Sequence, residues 1–321
     1  MIRSVLVLGA SGFIGRRVLR TLAAADDLIP LAAGRRVAAR TEDGIEALRL
    51  EDGDTAALSA ALARVQAVVD CRAAPPEEMR RGNAALFHAA QAAGRPLVVQ
   101  LSSMAVYGNA VGRVDETAPL SEEQGPYAAA KLEGERLAAA YGRAVILRPG
   151  CVYGPGGTQW SLRIARLLKA RRLGDLGAAG DGIANLVHVD DVAQAVAAAL
   201  RNSLAEGQAF NLAMAGAPTW NDYLMAFAQA LGHVPVRRLS ARRVRLESKL
   251  LAPPLKILEM AAARLGGGAW APPLIPPSLA RLFCQEIRLV SGKSEDLLGQ
   301  SWMPLDEGLA ETAAWCRAQG A

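Results

Sequence analysis

Two hydrophobic periods alternate along the first half of the chain. Short, continuously apolar runs at residues 4–8, 29–33, 65–71, 97–101 and 144–147 predict strands, with a briefer one at 47–50. Runs that are apolar on both faces belong in the buried centre of a parallel sheet. Between them lie alanine-rich stretches with helical spacing. These cover 12–25, 81–93 (stopped by Gly94) and a segment that carries Tyr127 and Lys131 and ends near Tyr141. Strand and helix in regular alternation predict repeated βα units, hence an α/β, Rossmann-type doubly wound parallel sheet.

Past Pro155 the pattern changes. Residues 161–169 read as an amphipathic helix and 174–182 as a glycine-rich loop. A strand at 187–189, a helix at 191–200 and a strand at 209–212 then return to the sheet. From Pro218 onward no βα alternation remains; helices and proline pairs follow, and a last helix covers 305–319. A chain of 321 residues exceeds one ordinary core. The expected division is a dinucleotide-binding Rossmann domain from 1–155 and 186–213. The rest, 156–185 and 214–321, forms a smaller, mainly helical substrate-binding lobe.

Composition narrows the class. With 51% hydrophobic and 21% charged residues the chain reads as a folded protein, which excludes a disordered one. The net charge of +5 resides in scattered pairs such as Arg35-Arg36, Arg80-Arg81 and Arg237-Arg238. No concentrated basic face interleaved with aromatic residues appears, so no nucleic-acid partner is expected. Cys71, Cys151, Cys284 and Cys316 lack CxxC or Cys/His spacing, which predicts a reduced, cytoplasmic protein without a metal site. The apolar run at 5–10 is too short for a signal peptide, and Gly9 breaks it. The most apolar later stretch, 250–282, is interrupted by Lys256, Glu259 and Arg264, so no integral membrane segment is expected.

The chemistry begins at the first strand-to-helix junction, Gly9-Ala10-Ser11-Gly12-Phe13-Ile14-Gly15. A tight turn there leaves backbone N–H groups at a helix N-terminus, which suits a pyrophosphate. Three glycines answer three steric demands: the turn itself, close approach of the phosphates, and packing of helix on strand. Gly9, Ser11, Gly12, Phe13, Ile14 and Gly15 are therefore candidate cofactor contacts. Sites for NAD place an acid at the end of the second strand, about twenty residues on. This chain instead has Gly34-Arg35-Arg36. Guanidinium groups grip a 2′-phosphate that a carboxylate would repel, so Arg35 and Arg36 predict NADP(H) in preference to NAD(H). Glu51, after the third strand, is placed to border the adenine or to serve the surface.

Tyr127 and Lys131 stand four apart on a predicted helix and so project from one face. A tyrosine with its usual value near 10 is a poor base at neutral pH, and a neighbouring ammonium favours the phenolate. Leu101-Ser102-Ser103 closes the fifth strand at the sheet edge where doubly wound folds place ligands. A hydroxyl there can hold a substrate oxygen while Tyr127 exchanges its proton.

With these pieces the chain resembles the extended short-chain dehydrogenases/reductases, in their epimerase/dehydratase branch. The resemblance rests on Gly9 to Gly15, Asn83, Ser102-Ser103-Met104-Ala105-Val106-Tyr107-Gly108, Tyr127 with Lys131, Arg148-Pro149, Val152-Tyr153-Gly154-Pro155 and His188-Val189-Asp190-Asp191-Val192. It implies that Ser103 orients the reacting oxygen, Tyr127 is the acid/base, and Lys131 tunes Tyr127 and holds the nicotinamide ribose. It further implies cofactor contacts at Ala73 and Pro149, a structural anchoring role for His188, and pairing of two copies through helices. Tyr107 and Tyr153 fall at the expected mouth, where ligand contact and packing are both open.

Three departures bear on substrate. Asp70-Cys71-Arg72-Ala73-Ala74 stands where relatives commonly show a His-Leu-Ala-Ala-like run. Ala184 replaces an arginine that grips the diphosphate of nucleotide sugars, and 250–282 suggests a greasier lobe. The leading expectation is an NAD(P)-dependent oxidoreductase that interconverts a small-molecule secondary alcohol and a ketone or aldehyde. The alternatives are a nucleotide-sugar epimerase/dehydratase and a catalytically silent, NAD(P)-sensing regulatory protein.

Overall fold

The computed structural model describes residues 3–35, 39–41, 43–51, 53–239 and 277–321. Most of the apolar stretch 250–282 lies outside the described residues, as does Arg36. Seven strands form one sheet: β1 (Arg3–Leu8), β2 (Leu28–Gly34), β3 (Ala47–Arg49), β4 (Ala67–Asp70), β5 (Leu97–Leu101), β6 (Ala144–Pro149) and β7 (Ala209–Leu212). Their order is β7-β6-β5-β4-β1-β2-β3, and every neighbouring pair is parallel. The chain order therefore reverses beside β1, between β2 and β4. The crevice outside the carboxyl ends of strands at such a reversal is where this architecture binds ligands.

The strands are apolar on both faces because helices cover both. On one side Val5, Val7, Val69 and Val99 meet Val18 and Leu22 of α1 (Phe13–Ala23) and Val192 and Val196 of a later helix, Val189–Arg201. On the other, Leu6, Leu8, Val68 and Val98 pack with α2 (Thr55–Leu62), α3 (Pro76–Ala92) and α4 (Pro126–Tyr141). The two-residue period of each strand thus splits the core into two layers.

Local signals set the helix limits. Helix α2, absent from the sequence expectation, starts where the Asp54 carboxylate accepts the Ala57 amide at 2.9 Å. Helix α3 begins at Pro76, five residues before the expected start: proline is suited to a first turn whose N–H would be unpaired anyway. Helix α4 opens after Gly125, at φ +94°, again with a proline in first position, and stops at Gly142, at φ +78°.

The chain divides into two units, one comprising Met1–Val152, Val187–Ala215 and Leu289–Met303, the other Tyr153–Leu186, Gly216–Arg288 and Pro304–Ala321. The expected assignment of all of 214–321 to the lobe is corrected at 289–303. That segment is tied to the sheet unit by polar bonds. Val290 N–H donates to Val114 O at 2.9 Å, Ser291 Oγ accepts the Ala213 amide at 3.0 Å, and Lys293 Nζ donates to Ala209 O at 3.0 Å. Asp191 accepts the Met303 amide at 3.1 Å.

The second unit has its own core. Trp220 stacks edge-on with Phe283 and Tyr223, with centroids 5.1 and 5.9 Å apart, and Tyr223 meets Phe227. Its helix Trp220–Leu231 starts with a capping box of Thr219 and Asp222. Arg317, on the helix Leu305–Ala318, donates to Ala230 O at 2.7 Å. Among the described residues no helix is long and apolar enough to cross a membrane.

Candidate active site

The turn after β1 is built by exclusion of side chains. Gly9 has φ +74°, and a Cβ there would stand 2.9 Å from backbone atoms of Cys71 and Arg72. A Cβ at Gly15 would press on the Gly9 carbonyl. The Gly12 amide donates to Gly9 O at 2.9 Å, and the first helical bond runs from Arg16 N–H to Gly12 O. The amides of Phe13, Ile14 and Gly15 precede that bond and have no acceptor within the helix. No side chain caps α1 and no acid occupies its first turn, so positive helix-dipole potential faces the crevice uncompensated. Ser11 is exposed beside these amides. A nicotinamide dinucleotide fits this cradle: the close backbone and the open N-terminus accommodate a pyrophosphate and exclude bulkier packing.

At the next strand, β2 ends on Gly34 and the exposed Arg35. Glu51 follows β3, and its carboxylate is engaged by Arg49, with Nε at 2.9 Å and Nη2 at 2.8 Å. It offers the crevice a carboxylate already bound to a cation of its own strand.

Strand β4 ends on Asp70, in register with Leu8 of β1 and Gln100 of β5. Arg72 folds back on it, Nε and Nη2 each 2.8 Å from a carboxylate oxygen, and Nη2 also reaches Gly82 O at 3.1 Å. Burial works against charge on Asp70, but the guanidinium outweighs it and, with a smaller pull from Lys131, holds the carboxyl below its ordinary range. Burial pushes the thiols of Cys71 and Cys151 up, which keeps them un-ionised. Ala73 lies exposed just beyond, and Pro149 is buried at the end of β6.

The edge of β5 gathers the reactive side chains. Lys131 is buried and donates from Nζ to Leu101 O at 2.7 Å. Its ammonium sits 5.8 Å from the centroid of the Tyr127 ring, which is 45% exposed one turn earlier on α4. Two residues beyond Leu101, the Ser103 oxygen accepts the Ala105 amide at 3.2 Å and starts a short 3-10 turn, Met104–Val106. Tyr127, Lys131 and Ser103 thus converge on one strand end. Helix α4 reaches it by sitting low: a Cβ at Gly134 would stand 2.7 Å from the Gln100 amide nitrogen and closer still to that of Asn83.

Beneath this edge lies a buried polar network that the motifs did not announce. Ser102 donates to Glu135. Arg148 clasps the same carboxylate with Nε at 3.0 Å and Nη2 at 2.7 Å, and its Nη1 donates to the Tyr107 hydroxyl at 2.8 Å. Tyr107 donates in turn to Asn211 Oδ1 at 2.7 Å, and Glu116 accepts the Asn211 amide at 2.6 Å. Burial pushes the Tyr107 hydroxyl up to about 12, so it remains a donor. For Tyr107 packing prevails over ligand contact, and Tyr153 is likewise buried, within the second unit. Glu135 carried a faint signal, since Tyr127, Lys131 and Glu135 repeat every four residues. Asn211 carried none. His188 is buried and caps the helix Val189–Arg201 through Nδ1, which accepts the Asp190 amide at 3.4 Å.

Known proteins agree with this architecture. Residues 5–213 match the NAD dependent epimerase/dehydratase family. A 3-diazoavenalumate denitrifying reductase from Streptomyces is 31% identical over 259 residues, 74% of this chain and 84% of that protein. A putative epimerase from Burkholderia cenocepacia superposes with a TM-score of 0.75 at 22% identity, covering 98% of each chain. The dTDP-glucose 4,6-dehydratase of Bacillus anthracis, solved with NAD, gives 0.74 at 17% identity over 98% of this chain and 96% of its own. The chain belongs to the NAD dependent epimerase/dehydratase family and is an NAD(P)-dependent enzyme of the extended short-chain dehydrogenase/reductase group.

Proposed function

We propose that the protein is an NADP(H)-dependent reductase that interconverts an alcohol and its ketone or aldehyde, a secondary alcohol and ketone foremost. The observation that carries this reading is the buried Lys131 ammonium, seated on the Leu101 carbonyl beside an exposed Tyr127. Tyr127 Oη gives its proton to the substrate oxygen in reduction and takes it back in oxidation. Lys131 places its positive charge beside the Tyr127 ring. Ser103 donates to the same substrate oxygen. The cofactor, when bound, supplies the hydride. Gly9, Ser11, Gly12, Phe13, Ile14 and Gly15 would hold its pyrophosphate, Lys131 its nicotinamide ribose, and Ala73 and Pro149 its flanks. Arg35 and Arg36, with no acid at the end of β2, would take a 2′-phosphate. Glu51 is then a surface residue, given its pairing with Arg49.

A net reductase is favoured over a nucleotide-sugar epimerase or dehydratase by Ala184, a fully buried apolar residue where a diphosphate-binding arginine would be needed. The relative from Streptomyces, named a reductase, points the same way. The test is NADPH consumption with benzil, aliphatic ketones and aldehydes, against UDP-glucose and dTDP-glucose. Consumption with a carbonyl compound and its loss in Tyr127→Phe are expected. Cofactor retained through purification, with sugar-nucleotide turnover and no net consumption, overturns it in favour of the epimerase/dehydratase reading. Two copies pairing through α3 and α4 belong to the same proposal, checked by sedimentation.

A further inference from the structure

The short segment from Ser102 to Tyr107 is pinned at both ends to one buried ion pair. At its start the Ser102 hydroxyl donates to Glu135, and at its end the Tyr107 hydroxyl accepts from Arg148, the partner of Glu135. Ser103 lies between the two anchors and uses its own oxygen to begin the intervening turn. Glu135 lies on α4 one turn beyond Lys131 and two beyond Tyr127, so its carboxylate links that helix to the serine segment. All four side chains are nearly sealed from solvent, Ser102 at 4%, Glu135 at 4%, Arg148 at 5% and Tyr107 at 2% exposure. In such a site a hydrogen bond is electrostatically strong and an unpaired polar group is costly, which makes the geometry well defined.

We propose that Glu135, acting through Ser102, is a positioning residue that sets the distance between Ser103 on its turn and Tyr127 on its helix. The inference rests on the reading of Ser103, Tyr127 and Lys131 as the reacting group. The clasp by Arg148 holds Glu135 in one rotamer, and the bond from Ser102 transmits that placement to the next residue. No titration of the network is needed. Its part in the reaction is to hold one donor in line with another, and a misplacement of about 1 Å in such an arrangement lowers rate roughly a hundredfold.

Removing Glu135 leaves the Arg148 guanidinium buried without its counter-ion, so Glu135→Gln risks unfolding. Ser102→Ala is the cleaner variant, because it cuts the link while the ion pair stays intact. The measurement is steady-state reduction of benzil by NADPH, with NADP⁺ dissociation constants and melting temperature, for wild type, Ser102→Ala and Tyr127→Phe. Expected for Ser102→Ala is a fall in kcat of about tenfold or more, with KM for benzil and affinity for NADP⁺ within about twofold and a melting temperature lowered by only a few degrees. Wild-type kcat in Ser102→Ala, alongside an inactive Tyr127→Phe, overturns the positioning role and leaves the active-site reading standing. A fall in kcat matched by a large drop in melting temperature or in NADP⁺ affinity also overturns it, since that is the behaviour of a purely structural bond. A wild type inert toward benzil, or an active Tyr127→Phe, overturns the reading on which the proposal rests.

Discussion

The turn after β1 and the edge of β5 face the same crevice but are built in opposite ways. At the turn, the proposed cofactor contacts are backbone amides, and the side chains contribute by their absence at Gly9, Gly12 and Gly15. At the edge, the proposed chemistry belongs to side chains, and each is supported from below: Lys131 by the Leu101 carbonyl, Ser102 by Glu135, Glu135 by Arg148. A backbone site tolerates almost no added atom. A side-chain site tolerates changes in proportion to how directly the changed group touches the chemistry.

The largest effect is therefore expected at the turn. Gly15→Val places atoms against the Gly9 carbonyl and should weaken NADPH binding by more than about a hundredfold, or about 3 kcal/mol, in a titration of cofactor fluorescence. Near-native affinity would show that the turn has slack. Tyr127→Phe should behave oppositely: turnover falls roughly 10²–10⁴-fold while NADP⁺ affinity stays within about twofold. Joint loss of both would erase the distinction between the two regions. Arg35→Asp should shift preference from NADP⁺ toward NAD⁺ by about tenfold or more in the ratio of dissociation constants, with kcat unaffected. An unchanged ratio would remove the second strand from the cofactor's recognition.

The smallest effect is a control on the frame that both regions share. Burial raises the Asp191 carboxyl to about 6, against an ordinary 3.8. The folded chain therefore binds this proton more tightly than the unfolded chain. The stability it contributes is full below the ordinary value and is lost as pH rises through about 6. Asp191→Asn has no such loss, so its melting temperature relative to wild type should rise by a few degrees between pH 4.5 and pH 7.5. A flat difference would mean that Asp191 is ionised without penalty. Both Tyr127 turnover and cofactor binding should be indifferent to this substitution.

The same contrast explains what was legible in the sequence. The βα alternation was visible because buried parallel strands are apolar throughout, and the bounds of β5 and β7 fell where the runs did. The glycine turn was visible because its requirement is local: three residues within seven. Tyr127 and Lys131 stood out as a helical spacing, whereas the choice of Ser103 over Ser102 came from the family resemblance alone. Asn211 beneath Tyr107 was not legible, because that partner is set by which strand ends adjoin and no run of adjacent residues encodes it. Asp70 and Arg72 lie two apart, but nothing in that spacing shows the guanidinium folding back onto the carboxylate. Helix α2 escaped because Thr55–Leu62 is apolar on too many sides to show a stripe. Residues 289–303 escaped because the partners of their polar ties, and of Leu298 in the sheet unit's core, lie far away in sequence.

The discontinuity of the sheet unit has a consequence for how the protein is made. A ribosome delivers Tyr107, Glu135 and Arg148 well before Asn211, and Ala213 well before the Ser291 that caps its amide. Until residues near 303 have emerged, the sheet lacks its last strand or that strand's outer fastening, and the Tyr107 hydroxyl has waited for the Asn211 oxygen that accepts its hydrogen bond. The nascent chain must wait with an open sheet edge and an unfinished polar centre, a state prone to association. Completion of the support beneath the candidate site is then among the final events of synthesis, although the candidate residues themselves belong to the first half of the chain.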